Sequence, residues 1–318
     1  MSETDTIPAT DPAPETATAP PKTETKGSAL WREIKGLFWV LLAVLAFHSF
    51  IAKPFYIPSE SMMPGLLKGD RLVVSKYPYG WSYVSPTIPN PAAIFRSLVL
   101  RSGEPWGITL PFMDGRVLGN LPERGDVVIV TPPGSNEDYI KRVIGLPGDT
   151  IQVVGGRLVI NGTPVVSAPR PPVEVPIDAN APCGAQFYGH LVQSASGAPV
   201  CRLPIIRETL PNGVSYDTIE LGASVGDDYG PYQVPPGRMF VMGDNRDRSA
   251  DSRFALGAPT NGLGGPVPFE NVGGRAEFIT FSLDGTTQLT SPGSWFGAFR
   301  SGRAGTSLRA SPASADKK

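Results

Sequence analysis

Histidine and cysteine are scarce in this 318-residue chain, which has two of each. Cys183 and Cys201 are too few for a disulfide framework, and neither stands in a cluster with ligand spacing. With only His48 and His190 to add, no set of residues suits zinc. The acidic loop at 243–253 lacks the glycine pattern and the closing glutamate of an EF-hand. No metal and no organic cofactor is therefore expected. A charge excess is missing too: Lys+Arg 28 against Asp+Glu 29 leaves a net charge of −1, so nothing in the balance points to a nucleic-acid partner. Long helical periodicity is also rare, because 36 Gly and 35 Pro interrupt helices and favour short strands joined by turns. The body is expected to be mostly β, and 41% hydrophobic residues supply a sizeable core.

One long apolar run is present. Residues 37–52 carry no formal charge and are flanked by Trp31, Arg32 and Lys35 before and Lys53 after. The run is short against the ~20 residues that span a bilayer, but an interfacial Trp31 and snorkelling Arg32 and Lys35 extend the helix backwards. A cleavable signal peptide is the rival reading. It fits poorly, since the preceding segment is long and partly acidic and no clear small-x-small site follows before Pro54. The expectation is a single transmembrane anchor at 29–54 behind a disordered tail at 1–28, whose Pro, Thr, Ala and acidic residues cannot bury enough surface to order it. Lys22, Lys26, Arg32 and Lys35 against Lys53 put the N-terminus in the cytoplasm and the body across the membrane. There Cys183 and Cys201 can pair; two unpaired thiols are the alternative.

Strand signals follow at 70–76, 126–131, 139–144, 150–154 and 157–160, with Asn161-Gly162 as a hairpin turn, then at 238–242 and 276–283. A Pro-rich insertion at 81–120 interrupts them. Its residues 92–100 read as a short amphipathic helix near the membrane surface or, equally, as an ordinary surface loop. The pattern divides the body into a core of antiparallel sheet at 55–155 and 235–284, an inserted β-rich subdomain at 156–234 holding both cysteines, and a C-terminal tail at 285–318. The tail reads as mobile apart from Trp295 and Phe296.

Two stretches carry chemistry. Residues 57–64 hold Ser59 and Ser61 between Pro58 and Pro64, which fix their own φ and bias their predecessors to extended backbone. A stiffly mounted serine suggests a nucleophile; a Pro-rich linker is the plain alternative. The usual base is histidine, but His48 lies in the apolar run and His190 in the least regular segment, so a Ser-His-Asp triad is poorly supported. A neutral lysine is the other choice, and it must be desolvated to serve near neutral pH. Lys141 is the lysine inside a strong strand pattern, with alternation setting Tyr139 and Lys141 on one face and Ile140 and Arg142 on the other. An exposed lysine guarding a strand edge is the competing reading. The second stretch, Gly243 to Arg253, packs carboxylates and guanidiniums into one loop, where bidentate pairs can hold a tight turn.

Four ordered segments, Pro58 to Pro64, Arg124 to Val128, Tyr139 to Asp149 and Gly243 to Arg253, resemble the signature boxes of bacterial type I signal peptidases. The resemblance implies a mostly β, membrane-bound serine endopeptidase that cleaves signal peptides from exported preproteins after small-x-small sites. It implies Ser61 as nucleophile and Lys141 as general base, with the Ser59 hydroxyl joining the Ser61 N–H in the oxyanion hole. Ser249 matches the hydroxyl that orients the lysine, and Asp251, Arg253, Asp244 and Arg142 match structural residues near the site. Phe55, Ile57, Pro58, Met62, Leu66, Tyr139, Ile140 and Met242 match or neighbour the substrate pocket, where an extended substrate pairs by β-augmentation. The sequence departs from the common pattern at Gly65, at Arg248 and at 255–264. The resemblance places a monomeric enzyme in the bacterial inner membrane with a periplasmic catalytic domain. A dedicated maturation peptidase of a conjugation or pilus system and an inactive signal-peptide-binding module are the alternatives.

Overall fold

The computed structural model describes residues 26–85, 88–89, 107–108, 115–135, 137–184, 187, 189–257, 259–288, 291 and 293–310. The helix read at 92–100 and nearly all of the N-terminal tail lie outside these residues. The chain divides into two compact units, Met1–Ala43 and Val44–Lys318. A 25-residue helix, α1 (Lys26–Phe50), starts in the first and ends in the second. Its stretch Leu30–Phe50, with a mean hydropathy of 1.5, is long and apolar enough to cross a membrane. Large apolar side chains such as Leu37, Trp39 and Val40 are exposed on it.

The second unit is built on a seven-stranded sheet made of β1 (Ala52–Tyr56), β2 (Asp70–Ser75), β3 (Val127–Val130), β4 (Tyr139–Gly145), β5 (Arg238–Met242), β6 (Val267–Pro268) and β7 (Val272–Ser282). Their order across the sheet is β1-β2-β7-β3-β4-β5-β6, and every pairing is antiparallel. The mostly β reading, with an antiparallel core, is therefore observed. Strand β3 shows why the sheet is central. Val127 and Ile129 pack with Ile57, Leu72 and Ile140, while Val128 and Val130 pack with Val143, Val241 and Val272 in a separate cluster. Period-2 alternation thus buries both faces. Strand β7 approaches β2 so closely at Gly274, at φ +157°, that a Cβ there would lie 2.5 Å from the Ser75 carbonyl oxygen.

A second, four-stranded sheet joins Tyr229–Gln233, Thr150–Val154, Arg157–Ile160 and Thr163–Pro164. The Asn161-Gly162 turn is found as expected, with positive φ at both residues (54° and 77°). A third sheet pairs Val166–Pro176 and Leu191–Gln193 with the two sides of Pro199–Thr209, on which Ser215–Thr218 also pairs. Cys183 and Cys201 form a disulfide with a Cα–Cα distance of 5.5 Å. Cys201, Phe187 and Leu203 of this region pack against Met63 and Leu67 of the turn after β1.

The C-terminal segment departs from its reading as a mobile tail. Ala298 is fully buried, Ile279 donates to the Thr306 carbonyl and Leu308 to the Glu277 carbonyl, and Arg300, Arg303 and Arg309 pair with Asp178, Asp70 and Glu277. Each of these arginines meets a carboxylate distant in sequence, so charge pairing supplies the anchorage that composition alone conceals. Trp295 and Phe296 remain exposed.

Candidate active site

The loop from Ile57 to Asp70 joins β1 to β2 and closes on itself at its base. Ile57 N–H donates to the Asp70 carbonyl at 2.9 Å and Gly69 N–H to the Ile57 carbonyl at 2.9 Å. Within it, Met63 N–H bonds Glu60 O and Leu66 N–H bonds Met62 O, forming a tight turn; the Met63–Pro64 peptide is cis. Ser61 sits on this turn and is buried, with its Oγ 3.4 Å from that of Ser59.

Lys141 reaches the turn from β4. Its Nζ lies 3.0 Å from Ser61 Oγ and donates to the Ile140 carbonyl at 2.8 Å. The side chain is buried, and burial pulls the amine down from 10.5 to about 8 against the opposing pull of Asp251 and Asp244, with Arg253 helping to lower it. A serine hydroxyl bonded to a desolvated amine is an arrangement that can generate an alkoxide-like nucleophile near neutral pH. His190, by contrast, pairs with the Arg202 carbonyl at 3.1 Å.

The Gly243–Arg253 loop follows β5 and packs behind the pair. Asn245 N–H bonds the Ser61 carbonyl at 3.1 Å and its Nδ2 bonds the Glu60 carbonyl at 3.2 Å. Asp251 accepts Gly243 N–H at 3.0 Å and two side-chain bonds from Arg253, both at 3.0 Å. Burial pushes the Asp251 carboxyl up, but Arg253 and the surrounding N–H donors outweigh it and hold the group below its usual range. Arg142 grips Asp244 through two bonds of 2.7 Å and gives a third, at 2.8 Å, to the Gly125 carbonyl. Gly243 is the tight point: a Cβ there would stand 2.3 Å from Ser249 Oγ and 2.5 Å from the Ser61 carbonyl oxygen. Ser249 is thus close to the nucleophile turn, and its buried hydroxyl has no hydrogen-bond partner among the described residues.

A cavity of about 210 Å³ opens beside the pair, lined by Phe55, Ile57, Pro58 and Ser59 on one side and Tyr139, Ile140 and Lys141 on the other. Among the described residues, strand β1 pairs with β2 alone, at one edge of the sheet. Three residues read as pocket lining do not line this cavity. Met62 and Leu66 are buried with Ile57 and Ile140 in the core behind it, and Met242 packs with Phe240 and Ile144 in another cluster. They are apolar and next to Ser61 or the Gly243–Arg253 loop in sequence, but their side chains are buried in packing. Asn245 was missed by sequence reasoning; its only signal was a polar residue inside the charged loop. Lys76, at the end of the first strand pattern, was also missed. It is buried, its amine is lowered to about 8 by desolvation and by Lys53, and it donates to the Ser85 carbonyl and not to a hydroxyl.

Comparison with known proteins adds a family. The model described as "Signal peptidase, peptidase S26" matches residues 30–281. The chain is 34% identical over 259 residues to signal peptidase I of Rickettsia typhi, covering 79% of this chain and 80% of that protein. It is 33% identical over 259 residues to the enzyme of Rickettsia canadensis, with 79% and 80% covered. A solved signal peptidase I from Enterococcus faecalis is 22% identical, with 49% of this chain and 97% of that one covered, but its TM-score of 0.25 is too low to bear on the fold. With four-fifths of the sequence matched by both routes, the chain belongs to the signal peptidase, peptidase S26 family.

Proposed function

We propose that the protein is a membrane-anchored serine endopeptidase that removes N-terminal signal peptides from exported preproteins, with Ser61 as nucleophile and Lys141 as general base. The observation that carries the dyad is the 3.0 Å contact between Ser61 Oγ and a buried Lys141 amine held near 8. In the neutral state Lys141 takes the Ser61 proton as Oγ attacks the scissile carbonyl. The resulting ammonium gives that proton to the departing amine, leaving an acyl-enzyme. Lys141, neutral again, then takes a proton from the water that attacks the acyl carbon, and as the ester C–Oγ bond breaks it returns that proton to Ser61 Oγ, releasing the acyl group as a carboxylic acid. The Ser59 hydroxyl and the Ser61 N–H are assigned to the oxyanion; the family resemblance assigns Ser249 to steering the amine, a bond that its hydroxyl does not make in this structure.

The open edge of β1 and the cavity between Phe55 and Ile140 support binding of the substrate as an added strand, its small side chains directed into a shallow apolar recess. In this reading the N-terminus is cytoplasmic, the helix is lipid-embedded, the body at 55–284 with its 156–234 insertion works outside the cytoplasm, and the enzyme acts as a monomer without metal or cofactor. A cleavage assay with several unrelated preproteins tests it. Wild type should cleave them all, and Ser61→Ala and Lys141→Ala none; wild-type rates from an inserted Ser61→Ala would overturn the assignment.

A further inference from the structure

The loop that carries Ser61 is fastened on its two limbs by different parts of the chain. Asn245 holds the ascending limb at Glu60 and Ser61. The descending limb, Gly65 to Asp70, is held from the C-terminal segment. Arg303 donates to both carboxylate oxygens of Asp70, at 2.8 and 2.5 Å, and its Nη2 also reaches the Gly65 carbonyl at 2.9 Å. Asp70 is fully buried and in turn accepts Leu67 N–H at 2.8 Å. Arg300 donates to the Lys68 carbonyl at 2.8 Å, and Leu283 N–H to that of Gly69 at 3.1 Å. Gly69, at φ +100°, has no room for a Cβ because the Leu283 carbonyl oxygen would lie 2.1 Å away. The segment itself returns along the second half of β7, bridging Phe278 to Ser307 and Leu283 to Phe299. It lies beyond residue 281, where the family match ends.

We propose that the segment 298–308 is a positioning strap for the nucleophile, with Arg303 as the residue that fixes the return limb of the Ser61 loop through Asp70 and Gly65. One guanidinium suits this role because its planar fork satisfies a carboxylate with two donors and still presents one to a backbone oxygen; a lysine has no such fork. No residue of 298–308 lines the cavity, and Arg303 acts on the far limb of the loop, so its effect belongs on turnover and not on binding. Arg309, just beyond the strap, pairs with Glu277 of β7.

The inference rests on the proposed peptidase reading, and its test separates the two. Full-length wild type, Arg303→Ala, Arg303→Lys and Arg309→Ala are compared in preprotein cleavage and in amide hydrogen exchange. Arg303→Ala should lower kcat about 10- to 100-fold, as small misplacements of a reacting group do, with KM within about twofold. Arg303→Lys should keep the fold and fall between, and Arg309→Ala should match wild type. Exchange at the amides of 62–70 should quicken at least about tenfold in both Arg303 variants while β3 and β4 stay protected. Because exchange reads the loop without substrate, it tests the strap even if the enzyme's substrate has been misassigned. If Arg303→Ala does not fold, Arg303→Lys decides. Wild-type kcat or wild-type loop exchange in a folded Arg303 variant, a loss confined to KM, or an equal loss in Arg309→Ala would each overturn the strap.

Discussion

Replacing Lys141 by methionine should abolish cleavage and, below pH 8, make the protein more stable. The amine titrates at about 8 in place of 10.5, chiefly because burial strips its hydration. At about 1.4 kcal/mol per tenfold, that depression corresponds to about 3 kcal/mol of native-state penalty. Below pH 8 the lysine is charged in both folded and unfolded chains, and the penalty is present in full. Between 8 and 10.5 the unfolded chain binds the extra proton, so stability rises with pH until the penalty has gone. Methionine fills a similar volume without a charge, but it gives up the bonds to Ser61 Oγ and the Ile140 carbonyl, an offset of about 1–2 kcal/mol. Lys141→Met should therefore be about 1–2 kcal/mol more stable than wild type at pH 7 and less stable by a similar amount near pH 10.5. Denaturant unfolding of both proteins at the two pH values, followed by circular dichroism, gives the comparison. Every other titrating group is common to the pair and cancels. A stability difference that does not change with pH would refute the claim that burial holds this amine near 8, and with it the expectation that kcat/KM falls as the pH drops through 8.

Three further outcomes follow from the packing behind the pair. Gly243→Ala would drive a Cβ to 2.4 Å from that of Ser249 and 2.5 Å from the Ser61 carbonyl oxygen, so kcat should fall by about 100-fold or more in the cleavage assay. Ser249→Ala removes a buried hydroxyl without a partner; thermal unfolding should show a gain of about 1 kcal/mol alongside reduced turnover, and a clear destabilisation would contradict the absence of that bond. Arg253→Ala leaves Asp251 buried and unpaired, which should cost about 3–5 kcal/mol in chemical unfolding. It also removes a charge that lowers the Lys141 amine and frees one that raises it, so the acid limb of kcat/KM should move above pH 8.

The central sheet was legible because its strands alternate: Val127 to Val130 send successive residues to opposite clusters, and Tyr139 and Val143 pack in one of these while Ile140 packs in the other. The turn that carries Ser61 was legible through its prolines, and the buried lysine proposed to serve it through its place in a strand. The third sheet was harder to read. Its strand Val166–Pro176 contains Pro169, Pro171 and Pro172, is exposed along nearly its whole length and shifts register between Arg170 and Val173. Prolines are tolerated there because it pairs on one side only, which is an edge property that composition does not show. The C-terminal strap was hidden for a related reason. Its order comes from Arg300, Arg303 and Arg309 finding Asp178, Asp70 and Glu277, partners between 32 and 233 residues away in the chain. No local pattern encodes such pairs. The cavity lining was harder to read, since sequence proximity to Ser61 marks Met62 and Leu66 as readily as Ile57, and only the fold separates core from lining.

The charges around Lys141 explain how carboxylates are tolerated near an amine that the proposed mechanism needs neutral. At an effective dielectric near 20, a bare carboxylate about 6 Å from an amine contributes about 3 kcal/mol toward charging it, as much as burial removes. Asp251 and Asp244 both pull the amine upward, so either one alone would threaten the depressed value. Each is instead matched to a guanidinium: Arg253 gives Asp251 two side-chain bonds of 3.0 Å, and Arg142 gives Asp244 two of 2.7 Å. The carboxylates cannot simply be dispensed with, because Asp251 also holds the Gly243 N–H and so sets the glycine against which Ser61 and Ser249 pack. The arginines let the loop use buried carboxylates as backbone clamps, and Arg253 offsets part of their pull on the lysine. Desolvation then remains the largest influence on the amine, which is the condition for a lysine, and not a histidine, to serve Ser61 near neutral pH.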